Sequence, residues 1–169
     1  MVRAFRGMKM TKKLDKVEWE RVYGETTYVG MSELIKHFDK KPDERFIFLD
    51  IGSGWGKTLE YVKDHFRRAK CIGIEIDEEK AKTSIKTTGG KVDIKTGDFR
   101  KYIHLIKKAD VIYSNCIMFY PETFKVILDN YTKILIHNNE SFKSKNHINL
   151  ESSWSRTSTY YKLNTNTKR

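Results

Sequence analysis

The sequence predicts an α/β fold built on a doubly wound, mostly parallel sheet that ends in an antiparallel hairpin. Three observations carry that expectation. Short apolar runs alternate with segments of helical spacing from residue 46 to residue 136, the pattern of right-handed strand–helix–strand crossovers. The first run leads directly into three alternating glycines, Gly52, Gly54 and Gly56. The first two runs each end on an acid, Asp50 and Glu75.

Residues 1–9 read as a basic arm with Arg3, Arg6 and Lys9. Leu14, Val17, Trp19 and Val22 have helical spacing over residues 11–22, with Thr11 as a cap. Residues 23–30 read as a loop. A second short helix is expected over 31–39, with Leu34, Ile35 and Phe38 on one face and Ser32 or Gly30 at its start. Phe46 to Leu49 suits a strand buried on both faces. A helix over 57–67 and a strand over 71–74 follow. The helix over 78–88 is stopped by Gly89 and Gly90. Strands are expected over 92–95, 109–114 and 133–136. A short helix at 99–107 and one opened by Pro121 stand between them. Residues 138–146 look like a polar loop, 148–154 and 157–163 form the final antiparallel pair, and 164–169 make a basic tail.

The length of 169 residues and a hydrophobic fraction of 38% suit one packed domain. No stretch approaches the ~18 apolar residues of a membrane-crossing helix, and the basic N-terminus lacks the apolar core of a secretory signal. Cys71 and Cys116 are too few for a disulfide framework or a zinc site and suit a reducing compartment. His37, His65, His104, His137 and His147 show no ligand-like spacing, so no metal is expected. With 33 Lys+Arg against 22 Asp+Glu, the formal charge is +11. That surplus fits either a polyanionic partner or a lysine-rich solvated surface.

The strongest local signal is Asp50-Ile51-Gly52-Ser53-Gly54-Trp55-Gly56-Lys57. Glycines between a buried strand and a helix permit a tight turn and close approach of a ligand to the backbone. The helix start offers unpaired N–H groups to an anion. The dinucleotide fingerprint G-x-G-x-x-G and the phosphate-binding G-x-x-x-x-G-K-[ST] both fail on spacing. The D-x-G-x-G-x-G form resembles motif I of class I methyltransferases, in which this loop wraps the methionine part of S-adenosylmethionine. Glu75, one strand later, is placed to accept both hydroxyls of a ribose. Asp98, in Gly97-Asp98-Phe99, is placed to accept from an adenine amino group while Phe99 supports the ring.

The ordered set Tyr23-Gly24-Glu25-Thr26, Asp50 to Gly56, Gly73-Ile74-Glu75, Gly97-Asp98-Phe99, Val111 to Asn115 and Ser158-Thr159-Tyr160-Tyr161 resembles the disruptor-of-telomeric-silencing (Dot-one) histone lysine methyltransferases, from about Trp19 to Leu163. The resemblance implies a class I S-adenosylmethionine-dependent fold and a lysine of histone H3 in the nucleosome as substrate. It implies that residues 1–40 are a basic arm and short helices carrying a cofactor-closing loop, and that 41–169 are the catalytic core. Tyr23, Glu25 and Thr26 would close over the cofactor. Asp50, Gly52, Gly54, Gly56 and Lys57 would hold its methionine end, Glu75 the ribose, and Asp98 with Phe99 the adenine. Asn115 matches the family's active-site asparagine and would touch both cofactor and amine. Tyr113, Ile117, Phe119 and Tyr160 would wall a narrow lysine channel.

The chain departs from the family pattern at Lys57, where glutamine is usual, at Trp55 in place of a small residue, and at Cys116 in place of a second asparagine. Methyl transfer is an in-line displacement that needs alignment and a neutral amine more than an acid or nucleophile, so no general base is assigned. The basic ends, Arg3, Arg6, Lys9, Lys12, Lys13, Arg156, Lys168 and Arg169, would grip nucleosomal DNA through its phosphates. A nuclear site of action follows, in a host nucleus or at a viral replication site if the short chain is a minimal, virus-encoded version. Two rivals remain. One is an RNA or DNA methyltransferase, against which Asn115-Cys116-Ile117-Met118 lacks the usual Pro-Pro-aromatic sequence. The other is a non-catalytic basic DNA-binding protein on the same fold.

Overall fold

A computed structural model describes residues 24–116, 119–131 and 133–164. The expected helix over 11–22, the basic ends except Arg156, and Tyr23, Ile117 and Met118 lie outside the described residues.

The chain runs α1 (Tyr28–Leu34) with a 3-10 turn (Ile35–His37), β1 (Ile47–Ile51), α2 (Lys57–His65), β2 (Lys70–Glu75), α3 (Glu78–Thr87) and β3 (Asp93–Thr96). A 3-10 turn (Phe99–Tyr102), α4 (Ile103–Lys108), β4 (Val111–Ser114), α5 (Pro121–Asn130) and β5 (Ile134–His137) follow. The hairpin β6 (His147–Ser152) and β7 (Ser155–Asn164) completes it. The sheet order is β3-β2-β1-β4-β5-β7-β6. β1 to β5 pair in parallel, while β7 runs antiparallel to both β5 and β6. The expected sheet is present, with the last strand inserted between β5 and β6 and not added at the rim.

Both faces of β1, β2, β4 and β5 are buried, which is why they read as continuous apolar runs, whereas β3, at the sheet edge, is only half-buried. Phe48 and Tyr113 pack on one side with Leu34, Phe38, Leu59, Val62, Leu150 and Tyr160. Leu49, Ile51, Ile72 and Ile112 pack on the other with Ile106, Phe124 and Ile127. β6 is an edge strand, so its alternation is clean: Ile148 and Leu150 are buried, His147 and Asn149 exposed.

α1 begins three residues before the sequence predicts. Its cap is neither Ser32 nor Gly30 but Thr27, whose side chain accepts from the Gly30 N–H. Thr27 is itself fixed from afar: its N–H donates to the Glu151 carbonyl at 3.0 Å and its hydroxyl to the Glu151 carboxylate at 2.8 Å. A Cβ on Gly30 would lie 2.2 Å from the Glu151 carbonyl oxygen, so glycine is what lets α1 lie directly on β6.

His137 ends β5 fully buried, its Nδ1 accepting from the Asn139 N–H at 3.2 Å while Nε2 has no partner. Burial between Phe124 and Tyr161 pushes its pKa down to about 4. In the unfolded chain it sits near 6.5. The contribution is therefore full above about pH 6.5 and is lost as pH falls toward 4, because only the unfolded chain takes up the proton there. A loss of roughly 3 kcal/mol is expected across that window. Urea unfolding at pH 7.5 and 4.5 should show it in the wild type and not in His137→Asn. Equal acid losses in the two proteins would mean that His137 is not held neutral.

Candidate active site

In a doubly wound sheet, ligands bind beyond the C-terminal ends of the strands where strand order reverses. Here that point lies between β1 and β4. The glycine loop leaves β1 there, and Asn115 leaves β4. The cleft between them is lined by Gly24, Glu25, Thr26, Asp50, Gly52, Ser53, Lys57, Thr58, Tyr113 and Asn115.

All three loop glycines have left-handed φ, at 82°, 54° and 81° for Gly52, Gly54 and Gly56, a region that penalises residues with a Cβ. Two of them serve different ends. A Cβ on Gly56 would meet the Ser84 hydroxyl of α3 at 2.1 Å, whereas one on Gly52 would meet nothing within 4 Å. Gly56 thus packs against the protein, and Gly52 leaves open space above its backbone.

The Glu75 carboxylate is clamped at the end of β2. It accepts from the Gly54 N–H at 2.6 Å and from the Asp77 N–H at 2.9 Å, tying the glycine loop to the start of α3. Asp50 pairs in register with Tyr113 on β4 and is almost wholly buried. Desolvation, with the nearby Glu75 charge, pushes its carboxyl pKa up to about 8. Asp50, in the lining of the cleft and reluctant to ionise, and Glu75, behind its glycine loop, make an acidic floor that favours a cationic guest.

A strap over residues 24–27 forms the wall opposite the glycine loop. Thr26 bridges Ser152 in antiparallel fashion, the Ser153 N–H donates to the Glu25 carbonyl at 2.7 Å, and the Glu25 N–H donates to the Ser153 hydroxyl at 3.1 Å. From inside, Asn115 donates to the Gly24 carbonyl at 2.9 Å. Lys57 reaches across to the Glu25 carboxylate at 2.7 Å. The residue that departs from the family pattern therefore joins the glycine loop to the strap.

Thr26, Tyr113 and Tyr160 form a buried hydroxyl cluster. Thr26 Oγ1 lies 2.5 Å from the Tyr113 hydroxyl and 3.4 Å from that of Tyr160, and the two phenols are 3.2 Å apart. Burial raises both phenol pKa values, that of Tyr160 to about 12, so neither ionises near neutrality. Of the proposed channel walls, Tyr113 and Tyr160 are brought together and Phe119 is set apart from them. Tyr113 lines the cleft, whereas Tyr160 is wholly buried behind it. Phe119 lies on the opposite side of the sheet, stacked on Phe99 at 5.8 Å and 9°. Asp98 caps the turn that begins at Phe99 and is paired with Arg100 through both carboxylate oxygens, which holds its pKa low.

Two residues missed in the sequence complete the site. Asn138 donates to the Asn115 side-chain oxygen and accepts from the Cys116 N–H at 2.7 Å. Asn139 donates to the Phe119 carbonyl at 2.9 Å. Both are buried. The only available signal was an Asn-Asn pair immediately after a predicted strand. Among the described residues no cluster of His, Cys, Asp or Glu could hold a metal ion, and no helix is long and apolar enough to cross a membrane.

A model of the family described as "Histone methylation protein DOT1" matches residues 10–159. Over 54 residues, 32% of the chain, the sequence is 39% identical to the Drosophila melanogaster histone-lysine N-methyltransferase, H3 lysine-79 specific; the match spans 3% of that protein's length. An RNA methyltransferase from Salinibacter ruber in complex with S-adenosyl-L-homocysteine superposes with a TM-score of 0.66 at 17% identity, covering 85% of this chain and 95% of that one. The Haemonchus contortus phosphoethanolamine N-methyltransferase 2 does so with a TM-score of 0.57 at 16% identity, covering 72% and 31%. The fold is that of class I S-adenosylmethionine-dependent methyltransferases.

Proposed function

Because the chain belongs to the DOT1 family of histone methylation proteins, matched over residues 10–159, we propose that it transfers a methyl group from S-adenosylmethionine to a lysine side chain of a histone, and that this lysine lies on histone H3 in the nucleosome. The observation that carries the reading is the meeting, in one cleft, of the glycine loop, Asp50, the strap and Asn115, with Glu75 clamped behind the loop.

The residues present fit the cofactor. Its ammonium and sulfonium are the cationic guest that the Asp50–Glu75 floor favours. The open backbone at Gly52 accepts close approach of its methionine end. Each Glu75 oxygen already takes one N–H and retains a second lone pair for a ribose hydroxyl. Asp98 and Phe99 take the adenine, and the parallel stack of Phe119 on Phe99 supports a place for Phe119 at that end rather than in the lysine channel. When bound, S-adenosylmethionine supplies an activated methyl group for in-line displacement.

The protein's part is positioning. Asn115 sets the strap over the cleft through the Gly24 carbonyl, and Asn138 fixes the rotamer of Asn115. An acceptor lysine, with an ordinary pKa near 10.4, must arrive neutral. With the acids already answered by the cofactor's positive charges, a second cation beside Tyr113 is disfavoured by desolvation and by repulsion from the sulfonium. The phenols stay protonated and serve as hydrogen-bonding walls, not bases. Histone substrates in the family favour a nuclear site of action.

Labelled S-adenosylmethionine offered with nucleosomes, free histones, RNA and DNA tests the assignment. Label confined to one histone lysine is expected. Label in nucleic acid instead would establish the rival reading, and none on any substrate despite cofactor binding would remove the histone assignment.

A further inference from the structure

The parallel strands also bring their N-terminal ends to one edge, across the sheet from the cleft. Arg45 precedes β1, Arg68 and Lys70 lead into β2, and Lys91 precedes β3. Arg45, Arg68 and Lys70 line one concavity with Asp110. Arg68 and Lys70 also line a second with Lys63 and Lys91. The two adjoin through their shared residues and make one groove along the strand starts.

The groove is strongly positive. Arg45, Arg68 and Lys70 are exposed and have no ion-pair partner among the described residues. Its acids are already satisfied: Asp110 is paired with Lys133 at 2.6 Å and accepts from the Ile47 N–H at 2.8 Å, and Asp93 is paired with Lys95 at 2.9 Å. Lys63 donates to the Arg67 and Ala69 carbonyls at 2.9 and 2.8 Å, fixing the turn that presents Arg68. Neighbouring strands lie about 4.8 Å apart, so the cations form a row. The large apolar side chain at its base, Phe46, is buried. No aromatic platform is offered for unstacked bases, and no apolar socket for a peptide side chain. A row of cations without such features, in which Arg45, Arg68 and Lys70 are unpaired among the described residues and only Lys91 reaches an acid, Asp64, at 4.0 Å, suits a regular phosphate backbone read without sequence preference.

We propose that this groove binds the phosphate backbone of a nucleic-acid duplex, at a site separate from the methyl-transfer cleft. The chain then holds a duplex at one edge of its sheet while the cleft at the other edge stays open.

Binding of a fluorescein-labelled DNA duplex is to be titrated across salt concentrations for the wild type and Arg45→Gln/Arg68→Gln/Lys70→Gln. The triple variant should bind at least about 10-fold more weakly, and its log–log salt slope should fall by about 2.7, three contacts at about 0.9 each. A charge-matched control, Lys82→Gln/Lys86→Gln/Lys107→Gln, changes exposed lysines away from the groove and should keep most of the wild-type slope. All six positions are exposed, and thermal midpoints will show that both variants fold. Equal losses in both variants would reduce the effect to net charge and overturn the proposal. So would a polyglutamate peptide that binds as tightly as the duplex through the same three residues, since that would make the groove a site for acidic protein.

Discussion

Gly56→Ala is expected to lose about 3 kcal/mol of stability, a fall in thermal midpoint of roughly 10 °C for a chain of this size. Forcing alanine into the left-handed region accounts for about 1–2 kcal/mol. The remainder comes from α3. The added Cβ would stand 2.1 Å from the Ser84 hydroxyl, 3.2 Å from the Ser84 Cβ and 3.4 Å from the Thr88 methyl. Ser84 and Thr88 are both buried, so rotating the hydroxyl away still leaves the Ser84 Cβ tight at 3.2 Å, and α3 has to give by a few tenths of an ångström. Gly52→Ala is the internal comparison: φ is nearly the same at 82°, but the surroundings are open, so only the backbone cost of about 1 kcal/mol is expected. Thermal unfolding without cofactor separates the two, and adding Ser84→Gly to the Gly56 variant should recover part of the loss. Equal losses at Gly52 and Gly56 would mean that α3 does not constrain the loop.

Asn115→Ala should reduce methyl transfer by about 100-fold or more, the scale of a misaligned reacting pair, while the protein stays folded. The substitution removes the donor to the Gly24 carbonyl and the acceptor for Asn138 together. The strap keeps its anchors on residues 151–153, so cofactor affinity should fall much less than turnover. Asn138→Ala leaves Asn115 in place but unsteadied and strips the Cys116 N–H of its acceptor; a smaller loss of about 10-fold is expected. Single-turnover rates beside equilibrium cofactor binding check both. Unchanged turnover in Asn115→Ala would remove this asparagine from the reaction.

How much of this was legible in the sequence depended on distance along the chain. β1, the three glycines and Glu75 could be read because their signals are local: a doubly buried strand, positive-φ turns and an acid at a strand end. The start of α1 was misplaced because its cap, Thr27, is held by Glu151, a partner no local pattern reveals. Asn138 and Asn139 looked like loop residues because they are polar. They are buried because β5 ends beside β4, where the Asn115 amide and the Cys116 and Phe119 backbone need partners. Tyr160 was expected at a channel wall, yet β7 lies inside the sheet between β5 and β6, so it packs into the core. Phe119 follows the same strand end as Tyr113 but turns to the opposite face. Which side of a sheet a residue takes after a strand ends is not encoded in any period.

The strap also bears on the order in which the molecule can be completed during synthesis. Residues 24–27 are made before every strand of the sheet, but their anchors at 151–153 belong to the hairpin that closes it. A nascent chain that has emerged only through β5 holds the whole glycine loop, both floor acids and Asn115, with one wall of the cleft still unsupported. Such long-range pairing forms late and slowly. The cofactor cleft therefore closes only after the hairpin has been made, so ligand binding reports that the strap and the hairpin have met.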